Sequence, residues 1–241
     1  MQPTYLPWMG YFDLIDRCDL FVILDDVQFE YQSWQHRNRI KTANGINMLT
    51  LPVHRANSVE TSITEVTLSY RQNWQKKHLS AIQQSYSKSA FYKSDFKASF
   101  DNLYQQKREK LADFNVEIIE YIMKKMGIDT QLVLSSTLKL KEKKTQRVIN
   151  ICKALKATEY LSPVGAFDYI EEDNLFPEND IQLYYQHFQH PEYSQLYGDF
   201  EPYMAAIDLL FNEGENSLGI LRSCQKEFYT HEEIIEFKMR N

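Results

Sequence analysis

With 241 residues, 43% of them apolar and 25% charged, the chain is long enough to bury a real core and is neither disordered nor fibrous. A formal net charge of −6, with no long lysine or arginine run, excludes a general nucleic-acid or acidic-membrane binder. Cys18, Cys152 and Cys224 are odd in number, widely spaced and set in apolar helical patterns, which excludes a disulfide framework and a paired-cysteine metal site.

The chain opens on MQPTYLPWMGYFDLI, a proline-stiffened aromatic loop that feeds a helix expected over about 9–18. DLFVILDD follows, apolar on both faces and closed by two aspartates, as a buried parallel strand would be. A loop and helix leading into such a strand ordinarily follow a strand of their own, so one is expected ahead of Gln2. RNRIKTANGINMLTLPV alternates on both sides of Asn44-Gly45 and reads as a β-hairpin. ITEVTL is a short strand. Residues 71–127 carry three amphipathic helices, the last closed by Gly127. TQLVLSS, EYLS and DIQLYYQHF read as strands, KTQRVINICKAL as a helix, GAFDYIEE as a helical turn, and residues 201–224 as two helices parted near 213–216. The order specifies one α/β domain over 1–241: a Rossmann-like parallel sheet with a hairpin, a helical insertion at about 71–127 and a helical C-terminal cap. Such a sheet binds ligands beyond the carboxyl ends of its strands.

Several residues stand out on that rim, each with a plainer role beside the functional one. Gln2, Tyr5, Trp8 and Tyr11 either wall a sugar site, rings covering its apolar faces, or plug the core. Asp25 and Asp26 end a strand and would point to opposite sides, so one of them, Asp26 by preference, holds or deprotonates a substrate group, or both simply cap a loop. Trp34, Arg37 and Asn38 cluster before and within the hairpin, where an arginine fork would grip a carboxylate or phosphate; a solvated hairpin shows alternating charge as well. Lys144, Thr145 and Arg147 start a helix directly after a strand and fit a phosphate-binding turn or an ordinary charged first turn equally well. His190, Tyr193, Asp208 and Asn212 either touch substrate or brace the opening loop. The six histidines have no zinc-binding spacing, and no metal site is expected.

QPTYLPWMGYFDLI, DDVQF, SWQHRNRIK, KTQRVINICKAL, EYLSPVGAFDYI and PEYSQLYGDFEPYMAAIDLLFNEG together resemble the WbqC-like protein family of bacterial surface-polysaccharide gene clusters, over nearly the whole chain and in order. The resemblance implies a role in O-antigen or related glycan assembly; a cytoplasmic location is expected separately, because no h-region follows a charged start and nowhere do eighteen apolar residues run together. The resemblance further implies a transferase that attaches a glycine-like or other acyl group to an amino sugar, with a sugar or sugar nucleotide as small-molecule partner. A non-catalytic sugar-nucleotide or glycan-intermediate binding protein would use the same aromatic and arginine residues. The first unit is also similar in layout to nucleotidylyltransferases and pantothenate synthetase, which would imply ATP and magnesium. The chain departs from that pattern, having Tyr11 after Gly10 where the last histidine of the phosphate-holding loop would stand.

Overall fold

The computed structural model describes residues 1–54 and 61–240. In chain order these form α1 (Met9–Asp16), β1 (Leu20–Ile23), β2 (Arg37–Thr42), β3 (Gly45–Thr50), β4 (Val53–His54) and β5 (Thr67–Leu68). They continue with α2 (Trp74–Tyr86), α3 (Lys97–Gln105), α4 (Leu111–Met126), β6 (Gln131–Leu134), α5 (Lys144–Leu155), β7 (Glu159–Ser162), α6 (Phe167–Asp173) and β8 (Gln182–Tyr185). The last helices are α7 (Ile207–Glu213), α8 (Ser217–Ser223) and α9 (His231–Arg240), of which α9 has no counterpart in the sequence reading.

The fold is mixed α/β. In place of one continuous parallel sheet, β1 pairs in parallel with β6 and β7 in parallel with β8, as two separate ribbons. The edge of β1 away from β6 is met by Met1, whose amino group donates to the Val22 carbonyl at 2.8 Å and whose carbonyl accepts from Leu24 N–H at 2.7 Å. That is the bonding of one residue in a parallel ladder, and it starts the opening loop level with the end of β1.

β2 and β3 form the expected hairpin, with Thr42 opposite Gly45 and the turn at Ala43-Asn44, one residue earlier than the alternation suggests. Gly45 has φ 98°, a conformation that favours glycine directly after the turn. α4 ends as predicted: Gly127 adopts φ 79° and its N–H donates to the Lys124 and Met123 carbonyls.

The helices of 71–127 are not a peripheral addition. Trp74, Tyr86, Tyr92, Phe100, Tyr104 and Phe114 share the main core with Tyr5, Phe12, Ile40 and Phe211. A smaller core gathers Val148, Ile149, Ile170, Leu183, Tyr185 and Ile234 from α5, α6, β8 and α9. Cys152 and Cys224 are buried and Cys18 half-buried, all three as free thiols, and burial pushes each thiol up to about 11.

Candidate functional site

Because β1 and β6 run parallel with Ile23 opposite Leu134, the chain leaves both strands side by side. Asp25 and Asp26 therefore meet Ser135 and Ser136, which begin a short 3-10 turn. Asp25 is 4% exposed and serves that turn: its Oδ1 accepts from Ser136 N–H at 2.9 Å and Ser135 Oγ at 3.2 Å, its Oδ2 from Ser136 Oγ at 2.6 Å. Asp26 differs, since its Oδ1 accepts from Ser135 Oγ and from Arg147 Nη2, the latter at 2.6 Å.

Arg147 arrives from the end of the first turn of α5. Its Nη1 donates to the Leu140 and Glu142 carbonyls at 3.1 and 3.4 Å, tying down the loop before the helix, while its Nε is buried with no hydrogen-bond partner. Lys144 is exposed in the left-handed region at φ 51°, and no side chain caps the start of α5. Lys144 stands exposed at the start of α5, and Asp26 and Arg147 meet on one rim, at the carboxyl ends of two parallel strands. Thr145 leaves it: fully buried, it donates from Oγ1 to the Tyr169 carbonyl at 3.3 Å and braces α6.

The opening loop divides in two. Tyr5 is fully enclosed, its hydroxyl in contact with His78 Nδ1 at 2.8 Å and with the Tyr104 hydroxyl. Tyr11 is 1% exposed and donates to the Gln2 carbonyl at 3.1 Å. Gln2 is half-buried and its Oε1 accepts from Gln35 Nε2 at 2.7 Å. Asn38 donates from Nδ2 to the Tyr5 and Leu6 carbonyls at 3.2 and 2.7 Å, holding the left-handed Leu6 at φ 47°. The wall of rings expected from Tyr5 and Tyr11 is accordingly replaced by a core plug. Both hydroxyls find protein partners, so nothing holds the rings at the surface.

Trp8 remains half-exposed, its ring against Phe188 and Tyr203 at centroid distances of 5.3 and 5.4 Å. It covers the start of α1: a Cβ at Gly10 would lie 2.2 Å from the Trp8 ring. Met9 through Ile15 are buried, so this helix start offers no opening for the ATP phosphates that the similarity in layout would place there. Magnesium fits the rim no better, because Asp25 is consumed by the serine turn and Arg147 sets a positive charge beside Asp26. Among the described residues, no group of three or more His, Cys, Asp or Glu is placed to hold a metal ion.

Trp34 is exposed and Arg37 half-exposed, so both stay available on the hairpin side. Asp208 is buried and accepts from Tyr86, Tyr193 and Gln195 at 2.9, 3.0 and 2.9 Å, bracing the loop before α7. Burial raises its carboxyl, against the pull of those donors. Ser135, Ser136, Gln35 and Asn115 escaped the sequence reading. Asn115 bonds the Pro3 and Gln35 carbonyls at 3.0 and 2.7 Å, and its one signal is an amide inside the apolar stripe of α4. A cavity of about 190 Å³ between α6, β8 and α9 is lined by Glu171, Phe176, Leu183 and His231 and by none of the predicted site residues.

No helix of the described residues is long and apolar enough to cross a membrane. No solved structure matches the chain. It is 35% identical over 229 residues to a Mycobacterium tuberculosis protein described as "Uncharacterized protein Rv1507c", an alignment covering 94% of this chain and 97% of the relative. The model of the WbqC-like protein family matches residues 2–220, and the chain belongs to that family.

Proposed function

We propose that the protein is a transferase of bacterial surface-glycan assembly, of the O-antigen type, that attaches an amino-acid or other acyl group to an amino sugar. Membership of a family tied to polysaccharide gene clusters supports the pathway. The observation that carries the site is the Asp26–Arg147 pair, closed by Ser135 at the carboxyl ends of β1 and β6, with Arg147 Nε left unpaired. In this reading the two parallel ribbons are parts of one Rossmann-like arrangement, and the rim is its ligand edge. Arg147 and Lys144 receive the phosphates of a sugar nucleotide. The sugar amine attacks the carbonyl carbon of an activated acyl donor, the bond to the donor's leaving group breaks, and the amine proton passes to Asp26. A cytoplasmic location follows from the use of sugar nucleotides.

One observation favours the second reading, a sugar-nucleotide binding protein without chemistry: Arg147 already meets the Asp26 carboxylate, so the pair needs no substrate amine to complete it. Calorimetric titration with nucleotide-linked amino sugars, followed by mass analysis after incubation with acyl donors, separates the two. Arg147→Met is expected to weaken binding at least about tenfold, which is about 1.4 kcal/mol. Asp26→Asn is expected to bind and not transfer. Binding with no mass gain from any donor selects the second reading, and no binding of any sugar nucleotide sinks both.

A further inference from the structure

Three separate stretches of chain bring open rings to one face of the hairpin. The Arg39 guanidinium on β2 sits 5.8 Å from the Trp34 ring and 6.0 Å from the Tyr203 ring. Tyr203 is 5.4 Å from Trp8, which stacks on His190 with an interplanar angle of 17°. Trp34 and Tyr203 are 50% and 48% exposed, which no packing role explains. Tyr203 is also fixed against its preference. Its φ of 60° is disfavoured for a bulky residue, yet its N–H donates to His190 Nε2 at 3.1 Å and its carbonyl accepts from Arg39 Nε at 2.9 Å. Ala205, two residues on, donates to the Arg39 carbonyl at 3.0 Å. The backbone is clamped on both sides of a ring left half in solvent.

Charge is the second, independent observation. Arg37 and Arg39 alternate with Asn38 and so share one face of β2. Among the described residues neither has a carboxylate partner, and Arg37 Nε is buried without a hydrogen-bond partner. Unfilled guanidinium donors suit an anion, and ring planes beside them suit the apolar face of a sugar.

We propose that Trp34, Arg39 and Tyr203, extended by Trp8 and Arg37, form a platform for a pyranose carrying an anionic group, separate from the Asp26–Arg147 rim. The choice of a sugar rests on the glycan reading above; the anionic group rests on the two arginines alone. The sugar ring lies on the aromatic planes, and its carboxylate or phosphate takes two parallel hydrogen bonds from the free Nη groups of Arg39.

Calorimetric titration of the full chain with methyl glucuronoside, glucose 1-phosphate and methyl glucoside tests this. At least one anionic sugar should bind saturably and about tenfold or more tighter than the neutral glucoside, the tighter of the two anionic probes identifying carboxylate or phosphate. Tyr203→Ala and Arg39→Gln should each weaken it at least about tenfold, while Arg147→Met leaves it unchanged. Trp34→Ala, at a ring exposed enough to leave folding intact, should act as Tyr203→Ala does. Absence of saturable binding by both anionic sugars, or undiminished affinity in Trp34→Ala and Arg39→Gln, overturns the platform. A concentration-dependent dimer in sedimentation that is lost in Trp34→Ala would show a second copy covering this face and would overturn it equally. Binding here without sugar-nucleotide binding at the rim would end the transferase reading alone, so the two proposals fail separately.

Discussion

Behind the opening loop, polar groups are neutral and buried, and their amides and hydroxyls mostly bond one another or the backbone, with Asn115 Oδ1 and Trp74 Nε1 left over; at the strand ends they are charged, and Asp26 stays partly open beside Arg147. Asn38, Asn115, Gln35, Tyr5 and His78 each bond a backbone carbonyl or another neutral side chain, so the loop is held in a medium where an unpaired group would cost about 1–3 kcal/mol. Asp26 and Arg147 are 21% and 10% exposed at their side chains, and the guanidinium keeps a donor without a partner. Two regions of similar polarity thus differ in what removal of a group should change: stability in the first, ligand affinity in the second.

The largest expected effect tests the first half of that contrast. Tyr5→Ala removes a fully enclosed ring packed against Phe114 and His78 and should lower unfolding free energy by about 3–5 kcal/mol in urea denaturation. A loss below about 1 kcal/mol would mean that the loop is not a core plug.

Acid should act on the same region. Burial pushes the His78 imidazole down to about 4, opposed only by its hydrogen bond to the Thr50 carbonyl. As pH falls, the unfolded chain takes up this proton first, near 6.5, while the folded chain takes it only near 4. The contribution of His78 is therefore full above about 6.5 and is lost between there and about 4, on the order of 3 kcal/mol. Melting of the parent and of His78→Gln across that window should converge as pH drops. Parallel curves would show that His78 does not carry the acid response.

Asn115→Ala should cost less, about 1–3 kcal/mol, because it leaves the Pro3 and Gln35 carbonyls without a donor but removes little volume. Restoring the amide as Asn115→Gln should recover little, since the bonds depend on reach. Equal stability of Asn115→Ala and the parent would place the holding of the loop in its rings.

How far the sequence carried depended on the range over which each feature is encoded. The hairpin, the Gly127 cap and the strand before Asp25 and Asp26 are local, set by alternation, a glycine conformation and a run of apolar residues; the cap reads correctly, the hairpin turn falls one residue earlier than read, and the strand ends at Ile23, short of the aspartates. Asp26 and Arg147 were visible separately, as a strand end and a helix start, but their pairing across 121 positions follows from the parallel register of β1 and β6. Ser135 and Ser136 carry no signal of their own, since serine after a strand is ordinary turn composition. Tyr5 and Tyr11 misled because an aromatic ring with a polar tip looks the same in sequence whether the tip meets water or, as for Tyr5, partners 73 and 99 residues away. The parallel strands were legible, yet they pair as two separate ribbons in place of one continuous sheet, because strand order is not a local property.

The smallest expected effect sharpens the second half of the contrast. Lys139 and Lys144 both sit in the left-handed region, at φ 54° and 51°, at the two ends of the loop that Arg147 ties down through Leu140 and Glu142. Left-handed backbone costs a non-glycine residue roughly 1–2 kcal/mol, and glycine escapes that cost while losing more freedom on folding. For Lys144→Gly the two terms nearly cancel, so stability should stay level or rise by at most about 1 kcal/mol. Its affinity for a nucleotide-linked sugar should nevertheless fall, since an exposed ammonium at the start of α5 is lost where the helix favours an anion. Lys144→Arg, keeping the charge and the strain, should hold the affinity. If Lys144→Gly binds as the parent does, the charge at this helix start is only a solvated first turn, and recognition at the rim contracts to Arg147 and Asp26.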